Sequence, residues 1–279
     1  MPPHKLTSVR FADARLSTGI RLHYAEHGDR AGNPVILLHG ITDSWFSFSL
    51  ALPLLSSAHR AWALDQRGHG DSERPSSGYA AQDFAGDVLA FMDAMDLERA
   101  TLVGHSMGSL VALETAVAAP GRISRLVLIG SGAYIRSEDT LQLMEQFSRL
   151  DDPVPAETAR DFQMSTIHHP IPDEFLERAV AESLKVPARV WRDALAGLLA
   201  VDYTDRLQDL RMPALLLRGD HDETFPQAAQ KTLAARLPNA TSRIYPDTGH
   251  ALHWERPADF IRDLEKFLSH GVNGVTASA

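Results

Sequence analysis

Short apolar runs, each bounded by glycine, proline or charged residues, recur along this chain and constrain its fold more than any other feature. They are nearly continuous, as strands buried on both faces should be, instead of alternating with polar residues. Five of them are NPVILLHG (33–40), HRAWALD (59–65), ATLVGHS (100–106), ISRLVLIGSG (123–132) and MPALLLRGD (212–220). Such runs predict a parallel sheet, which has to be covered by helices.

Segments with helical spacing lie between these runs and supply the crossovers that parallel strands require. The clearest are at 81–97 and 107–119, and a last helix over 257–270 begins with proline. Near the N-terminus, SVRFADARL and IRLHYAEHG alternate apolar with polar residues. That alternation predicts an antiparallel hairpin with one wet face at the edge of the sheet.

The region 134–209 interrupts this rhythm, because it has helical patterns separated by proline-containing breaks and no convincing strand. We interpret it as a helical cap, or lid, that lies over the strand ends, inserted into a core formed by 1–133 and 210–279. With a last strand at 241–247, the predicted fold class is α/β, with a mostly parallel eight-stranded sheet flanked by helices. The tail GVNGVTASA is expected to fray.

Bulk composition narrows the classes of partner. The 279 residues carry 27 basic and 36 acidic side chains, a formal net charge of −9, and no cluster of lysine and arginine offsets it, which argues against nucleic acid. No apolar run approaches the roughly 18–20 residues that span a bilayer, and MPPHKLTSVR lacks the apolar core of a signal peptide. We therefore expect a cytoplasmic monomer or homodimer without membrane contact. The chain has no cysteine, which removes a thiolate nucleophile, a disulfide and a cysteine-ligated zinc; no cofactor is expected.

The stretch GHSMG (104–108) places Ser106 between two glycines, where a predicted strand ends and a predicted helix begins. In that context the G-x-S-x-G pattern indicates a sharp turn that pushes a nucleophilic hydroxyl outward. The alternative is a serine that only caps the following helix.

A serine hydroxyl needs a base, and a histidine oriented by a carboxylate is the usual one. His250 is the strongest candidate, because it follows a glycine in a loop between the last strand and the last helix. For the carboxylate, the loop after 212–220 offers Asp220, Asp222 and Glu223.

His168 and His169 could suggest a metal. Neighbouring side chains do not converge easily on one ion, however, and the sequence shows no matching cluster elsewhere, so no metal site is predicted.

Four segments together resemble the α/β-hydrolase fold superfamily over nearly the whole chain: LLHG (37–40), DQRGHGDS (65–72), GHSMG (104–108), and the pair RGDHD with TGHALHWERP. The order serine, acid, histidine is the one this superfamily uses. The resemblance implies Ser106, Asp222 and His250 as the catalytic residues, since the acid there usually stands three residues after the glycine.

The resemblance also implies an oxyanion hole formed by the backbone N–H groups of Ile41 and Met107. Two such donors would stabilise the negative charge of a tetrahedral intermediate, and Met107 is predicted to lie at a helix N-terminus. His39 and the DQRGHGDS loop are interpreted as scaffold, although Asp65, Arg67 and His69 of that loop could instead bind a metal or substrate.

Serine at position 106 argues against the epoxide hydrolases and haloalkane dehalogenases of this superfamily, which need aspartate there. We favour a hydrolase (serine esterase) that cleaves a small carboxylic ester or lactone. Alternatives are perhydrolysis, carbon–carbon bond hydrolysis of meta-cleavage ring-opening products, which the loop with Trp254 and Glu255 resembles, and a low-turnover ligand receptor. Carbon–carbon bond hydrolysis is less favoured because Ala251 follows the histidine, where the meta-cleavage product hydrolases typically have tryptophan. Arg189 and Arg192 are candidates for the lid arginine of those enzymes.

Aromatic side chains predict an apolar substrate pocket, with packing of the cap onto the sheet as the alternative explanation for each of them. The candidates are Trp45, Phe46, Phe162, Trp191 and Trp254.

Overall fold

Every apolar run of the sequence becomes a strand of one eight-stranded sheet in the computed structural model, which describes residues 9–269. The segment MPPHKLTS and the tail expected to fray lie outside the described residues. The strands are β1 (Arg10–Arg15), β2 (Arg21–Gly28), β3 (Asn33–Leu38), β4 (His59–Leu64), β5 (Ala100–His105), β6 (Ile123–Ile129), β7 (Ala214–Gly219) and β8 (Ala240–Tyr245).

The strand order across the sheet is β1-β2-β4-β3-β5-β6-β7-β8. The pairs from β4 to β8 are parallel, whereas β1 pairs with β2 and β2 pairs with β4 in antiparallel fashion. The predicted fold class and edge hairpin are thus confirmed. Because the parallel strands all end at one edge, the loops that follow β3, β5, β6, β7 and β8 meet there, where ligands bind in open α/β sheets.

The helices are α1 (Ala81–Ala94), α2 (Met107–Ala118), α3 (Glu138–Ser148), α4 (Ala156–Met164), α5 (Asp173–Ser183), α6 (Ala188–Leu199), α7 (Gln227–Arg236), α8 (Leu252–Glu255) and α9 (Pro257–Ser269). Between residues 9 and 269, none of them combines the length and the apolar character that crossing a membrane would take.

Alternate residues of the central strands enter two separate apolar layers. In β3, Ile36 and Leu38 pack with α1 and α2 on one face, and Val35 and Leu37 pack with α9 on the other. All four are buried. This double burial explains the continuous apolar runs, because no strand position in the middle of the sheet faces water.

Four helices, α3 to α6, connect β6 to β7, and residues 134–209 contain no strand. Prolines that interrupt the sequence pattern start three of these helices: Pro155, Pro172 and Pro187 occupy the N-cap positions of α4, α5 and α6, with ψ between 132° and 147°. Proline lacks an N–H and has a fixed φ, so it fits a helix start and disrupts a helix interior. The division of the chain into core and cap stays a prediction.

Candidate active site

Ser106 alone makes the turn between strand β5 and helix α2, because β5 ends at His105 and α2 begins at Met107. Its φ of 52° and ψ of −118° lie in a region that residues with a side chain rarely adopt, at a cost of about 1–3 kcal/mol. The Ser106 N–H donates a hydrogen bond to the Ile129 carbonyl oxygen at 3.0 Å, which fixes the turn against the next strand.

The two glycines of GHSMG are required by close backbone approach. A Cβ atom on Gly104 would lie 2.2 Å from the Gly108 carbonyl oxygen, and one on Gly108 would lie 2.1 Å from the Leu38 carbonyl oxygen. Any side chain at either position would therefore push α2 away from the sheet. Glycine here holds Ser106 at the edge where the parallel strands end.

His250 and Asp222 come from the loops after β8 and β7, and the structure brings them together. The His250 Nδ1 atom lies 3.0 Å from Asp222 Oδ2, and both residues are buried. The other carboxylate oxygen, Oδ1, accepts a hydrogen bond from the Phe225 N–H at 2.9 Å. Since a carboxylate can only accept, Nδ1 carries the proton and Nε2 is left as the basic nitrogen of the ring.

The other two carboxylates proposed from the sequence do not reach His250 in this way. Asp220 is exposed, and its Oδ1 accepts a hydrogen bond from the Thr248 N–H at 3.2 Å. Glu223 is exposed too. The geometry therefore favours Asp222 as the orienting acid.

Gly130, directly after β6, makes room for this pair. Its φ is +51°, and a Cβ atom there would lie 2.6 Å from His250 Nδ1 and 3.1 Å from Asp222 Oδ2. A side chain at this position would separate the imidazole from the carboxylate. The sequence analysis did not single out Gly130, although it stands where the apolar run ISRLVLIGSG ends.

One cavity of about 150 Å³ is lined by Ser106, His250, Ile41 and Met107, which places the proposed nucleophile, base and oxyanion-hole residues around the same space. Met107 is the first residue of α2, so its N–H has no carbonyl one turn earlier in the helix to bond with. The positive end of the helix dipole adds to the attraction for an anion at this point.

Two of the five predicted pocket residues, Phe162 and Trp254, line this cavity. The other three lie elsewhere. Trp191 of α6 is fully buried against rings of α3 and α4, and its Nε1–H donates to the Val186 carbonyl oxygen at 3.1 Å. Trp45 packs against Phe46, which itself stacks on a ring of α5, so for these residues packing is the better explanation.

A buried polar pair in the cavity wall was missed by the sequence analysis. Gln163 of α4 donates from Nε2 to Asp43 Oδ1 at 2.8 Å, and both side chains are buried. Burial raises the pKa of Asp43 to about 6, even though hydrogen bonds from Gln163 and Ser47 oppose the shift. Nothing in the sequence marked this pair, because Asp43 and Gln163 are 120 residues apart along the chain.

Two further buried histidines surround His250. The ring of His105 lies 4.7 Å from that of His250 and 4.5 Å from that of His253. Burial lowers the pKa of His253 to about 3 and that of His105 well below its usual value. Both are therefore neutral at neutral pH, and neither adds a positive charge beside His250.

The residues interpreted as scaffold make the contacts of a scaffold. His39 Nδ1 lies 2.7 Å from the Gly40 carbonyl oxygen, and its Nε2 accepts a hydrogen bond from the Gln66 N–H at 3.0 Å.

The side chains of the DQRGHGDS loop are likewise bonded within the protein. Asp65 accepts a hydrogen bond from the Trp45 N–H at 2.6 Å. Arg67 makes a two-pronged ion pair with Asp87 of α1, at 2.6 and 2.7 Å. In the same loop, His69 Nδ1 lies 2.8 Å from the Arg67 carbonyl oxygen. These bonds fix the conformation of the loop, and the charged groups of Asp65 and Arg67 already have partners within the protein.

Glu255 joins the loop of His250 to the loop between α4 and α5. Its carboxylate accepts hydrogen bonds from the N–H groups of Gly249, at 2.8 Å, His168, at 3.2 Å, and His169, at 2.9 Å. The Ala251 N–H donates to the Thr166 carbonyl oxygen at 2.8 Å. The segment that carries the proposed base is thus attached to the helical insertion on both sides of His250.

Comparison with known proteins agrees with this architecture. This chain is 28% identical to a non-heme chloroperoxidase of Streptomyces lividans, in an alignment that covers 90% of this chain and 97% of the relative. A 2-hydroxy-6-oxo-2,4-heptadienoate hydrolase of Pseudomonas putida is 26% identical over 91% of this chain and 95% of its own. The solved structure of an esterase from Rhodococcus sp. ECU1013 superposes with a TM-score of 0.81 at 26% identity, covering 94% of this chain and 99% of that one.

The sequence profile of the alpha/beta hydrolase fold family matches residues 33–257, which is most of the chain and includes every proposed catalytic residue. The predicted superfamily and the prediction of an enzyme of the α/β-hydrolase type are therefore confirmed, while the reaction and the roles of individual residues stay predictions. On this match, with the sheet order and the turn at Ser106 described above, the chain belongs to the α/β-hydrolase fold family.

Proposed function

We propose that this protein hydrolyses a small carboxylic ester or lactone through an acyl-enzyme formed on Ser106. The observation that carries the proposal is the shared cavity: a serine held in a strained turn and a histidine bonded to a buried carboxylate line the same space. A serine, a base and an orienting acid are the parts that nucleophilic acyl transfer needs.

In the first half-reaction, Ser106 Oγ attacks the carbonyl carbon of the ester while His250 Nε2 takes the hydroxyl proton. The negative charge that develops on the carbonyl oxygen is stabilised by the N–H groups of Ile41 and Met107, each worth about 3–4 kcal/mol by analogy with other oxyanion holes. The imidazolium then gives its proton to the leaving alcohol as the carbon–oxygen bond breaks. Asp222 orients the ring and stabilises its positive charge.

In the second half-reaction, a water molecule replaces the alcohol. His250 takes a proton from this water, whose oxygen attacks the acyl carbon, and the proton passes to Ser106 Oγ as the acyl-enzyme bond breaks. The products are a carboxylic acid and the regenerated enzyme. With a lactone, the alcohol and the acid are parts of one molecule.

The cavity favours a small, uncharged and largely apolar acyl group. Its volume of about 150 Å³ is that of a space which admits a benzene-sized group. Much of its wall is apolar side chain, contributed by Leu110, Leu143, Phe162, Leu195 and Leu198. Such a wall gives affinity through burial, and the few polar groups fix orientation.

Carbon–carbon bond hydrolysis is the second candidate, because one relative has the name of a hydrolase acting on a ring-opened dienoate. Such a substrate carries a carboxylate. Of the described residues that line the cavity, none is lysine or arginine, and Asp43 would repel an anion once ionised. Arg189 donates to the carbonyl oxygens of Pro75 and Arg74, and Arg192 donates to that of Leu150. Neither arginine lines the cavity, so the ester is the better substrate.

A substrate panel tests the proposal. We expect steady multiple turnover of p-nitrophenyl acetate and butyrate, with kcat/KM falling for long acyl chains, and low activity on a ring-opened aromatic dienoate. The same panel includes simple lactones. A single burst followed by a stable adduct would favour the ligand receptor instead, and a dienoate kcat/KM above that of every ester would favour the carbon–carbon hydrolase.

A further inference from the structure

Three side chains that can bind a metal meet at the junction of the helical insertion with the sheet. His168 comes from the loop between α4 and α5, His221 from the loop after β7, and Asp247 from the loop after β8. One ligand atom from each lies within 4.8 Å of the ligand atoms of the other two. The sequence predicted no metal because His168 and His169 had no visible partners, but folding supplies the missing ones from about 50 and 80 residues away along the chain.

Two of the three side chains, His168 and Asp247, already have the spacing of metal ligands. His168 Nε2 lies 3.2 Å from Asp247 Oδ1, and the rings of His168 and His221 stack in parallel with centroids 3.7 Å apart. In a tetrahedral zinc site with bonds of about 2.0–2.1 Å, neighbouring ligand atoms are about 3.3 Å apart. All three side chains are exposed. Because nitrogen lone pairs lie in the ring planes, the two stacked rings do not point at one centre, so binding of an ion requires the exposed His221 ring to rotate.

A neighbouring histidine completes the arrangement. His169 Nε2 lies 2.7 Å from Asp247 Oδ2, the carboxylate oxygen that does not face His168. A ligand carboxylate that is also hydrogen-bonded by a second residue is typical of metal sites, because the second bond fixes its orientation. The carboxylates of Asp220, 3.9 Å from His221 Nε2, and of Glu255, bonded to the backbone of His168, add negative charge nearby.

We propose that His168, His221 and Asp247 bind one Zn²⁺ ion, with water as the fourth ligand, and so connect the α4–α5 loop to the loops that carry Asp222 and His250. Two imidazoles and one carboxylate favour zinc and its neighbours in the first transition row over Mg²⁺ or Ca²⁺, which prefer oxygen ligands alone. The site is separate from the cavity at Ser106, and the proposal does not depend on the reaction there.

A second cluster, His23 with Asp65 and Asp71, has comparable spacing but is a weaker candidate. Both oxygens of Asp65 already accept backbone hydrogen bonds, from the Trp45 N–H at 2.6 Å and the Asp71 N–H at 2.8 Å. Asp65 is also fully buried, and His23 Nδ1 already lies 3.0 Å from the carboxylate of Asp13, so an ion would have to reach an enclosed group and take His23 from its partner. This cluster therefore provides the matched control.

The test is calorimetric titration of Zn²⁺ into untagged, metal-free protein, alongside the variants His168→Ala, His221→Ala and His23→Ala. We expect one zinc per chain with micromolar affinity, weakened by about tenfold or more in each of the first two variants and unchanged in the third. Zinc should raise the melting temperature of the wild type, since it binds three segments that are together only in the folded state. Mg²⁺ should neither bind at this site nor raise the melting temperature.

Several results would overturn the proposal. One is the absence of stoichiometric binding below about 1 mM zinc. Another is an affinity that falls in His23→Ala but not in His168→Ala and His221→Ala, which would place the ion in the second cluster. A loss confined to His221→Ala would remove the connection to the α4–α5 loop. Because His168 and His221 are exposed, the melting curves of these two variants without zinc should match that of the wild type, which separates lost binding from misfolding.

Discussion

The turn at Ser106 and the helices α3, α4 and α6 face the same cavity, yet they are fixed by different forces. At the turn, backbone atoms decide: a Cβ atom on Gly104 or Gly108 would come within about 2 Å of a carbonyl oxygen. The helices reach the cavity with side chains such as Phe162 and Gln163, held by ring packing and one buried hydrogen-bonded pair. If the proposed mechanism is right, the residues at the strand ends supply the reacting groups, and the helices after β6 contribute much of the wall that the substrate meets.

Ser106→Ala should have the largest effect. If the core alone supplies the nucleophile, kcat should fall by about 10⁶-fold, by analogy with nucleophile removal in another serine hydrolase. The protein should stay folded, because the change removes one oxygen atom from a side chain that is not fully buried. Labelling by a fluorophosphonate probe tests the loss of the nucleophile, and circular dichroism tests whether the variant stays folded. Undiminished labelling in the variant would rule out Ser106 as the nucleophile.

Asp222→Asn should follow, with kcat lower by about 10⁴-fold, the loss seen for the equivalent change in a serine protease. The amide would accept from His250 Nδ1 less well and favour the wrong tautomer of the ring. Steady-state kinetics of a p-nitrophenyl ester measure the effect, and Asp220→Asn is the matched control, since Asp220 lies two residues away but bonds to the Thr248 N–H. A larger loss in the control would reassign the acid.

The difference between the turn and the helices also explains which site residues could be predicted from the sequence. Ser106, Asp222 and His250 each follow a strand whose apolar run is visible in the sequence, and parallel strands end together, so their meeting was predictable. Phe162 and Trp191 were not distinguishable, because both are aromatic residues in helical patterns and only packing decides that one ring lines the cavity and the other is enclosed. Nothing local marks a pair such as Asp43 and Gln163, which are 120 residues apart.

Trp191→Ala should sharpen the comparison by acting on stability instead of chemistry. The ring is fully buried against Phe147 and Phe162 and does not line the cavity, so the free energy of unfolding should fall by about 3–5 kcal/mol. Urea denaturation measures the loss.

Phe162→Ala is the companion variant, because Phe162 does line the cavity. The preference of this variant among acetyl, butyryl and hexanoyl esters should differ from that of the wild type by about 10-fold or more. A change of acyl preference as large in Trp191→Ala would show that the two rings act as one unit.

Asp43→Asn has the smallest expected effect and tests the polar contact between core and insertion through pH. In the folded protein the pKa of Asp43 is about 6, against an ordinary value of 3.8, chiefly because the group is buried. Between these two values the unfolded chain gives up the proton while the folded protein keeps it, so the folded state loses stability as pH rises. The loss of stability is complete above pH 6 and amounts to about 3 kcal/mol at most.

The asparagine variant lacks this titration. It keeps the titration of Asp65, because burial also raises the pKa of Asp65 to about 6. The variant should therefore gain stability relative to the wild type as pH goes from 4 to 6.5, measured by urea denaturation at each pH. A stability difference that stays constant over that range would mean that Asp43 is ionised throughout, and that its hydrogen bonds from Gln163 and Ser47 outweigh the cost of burying its charge.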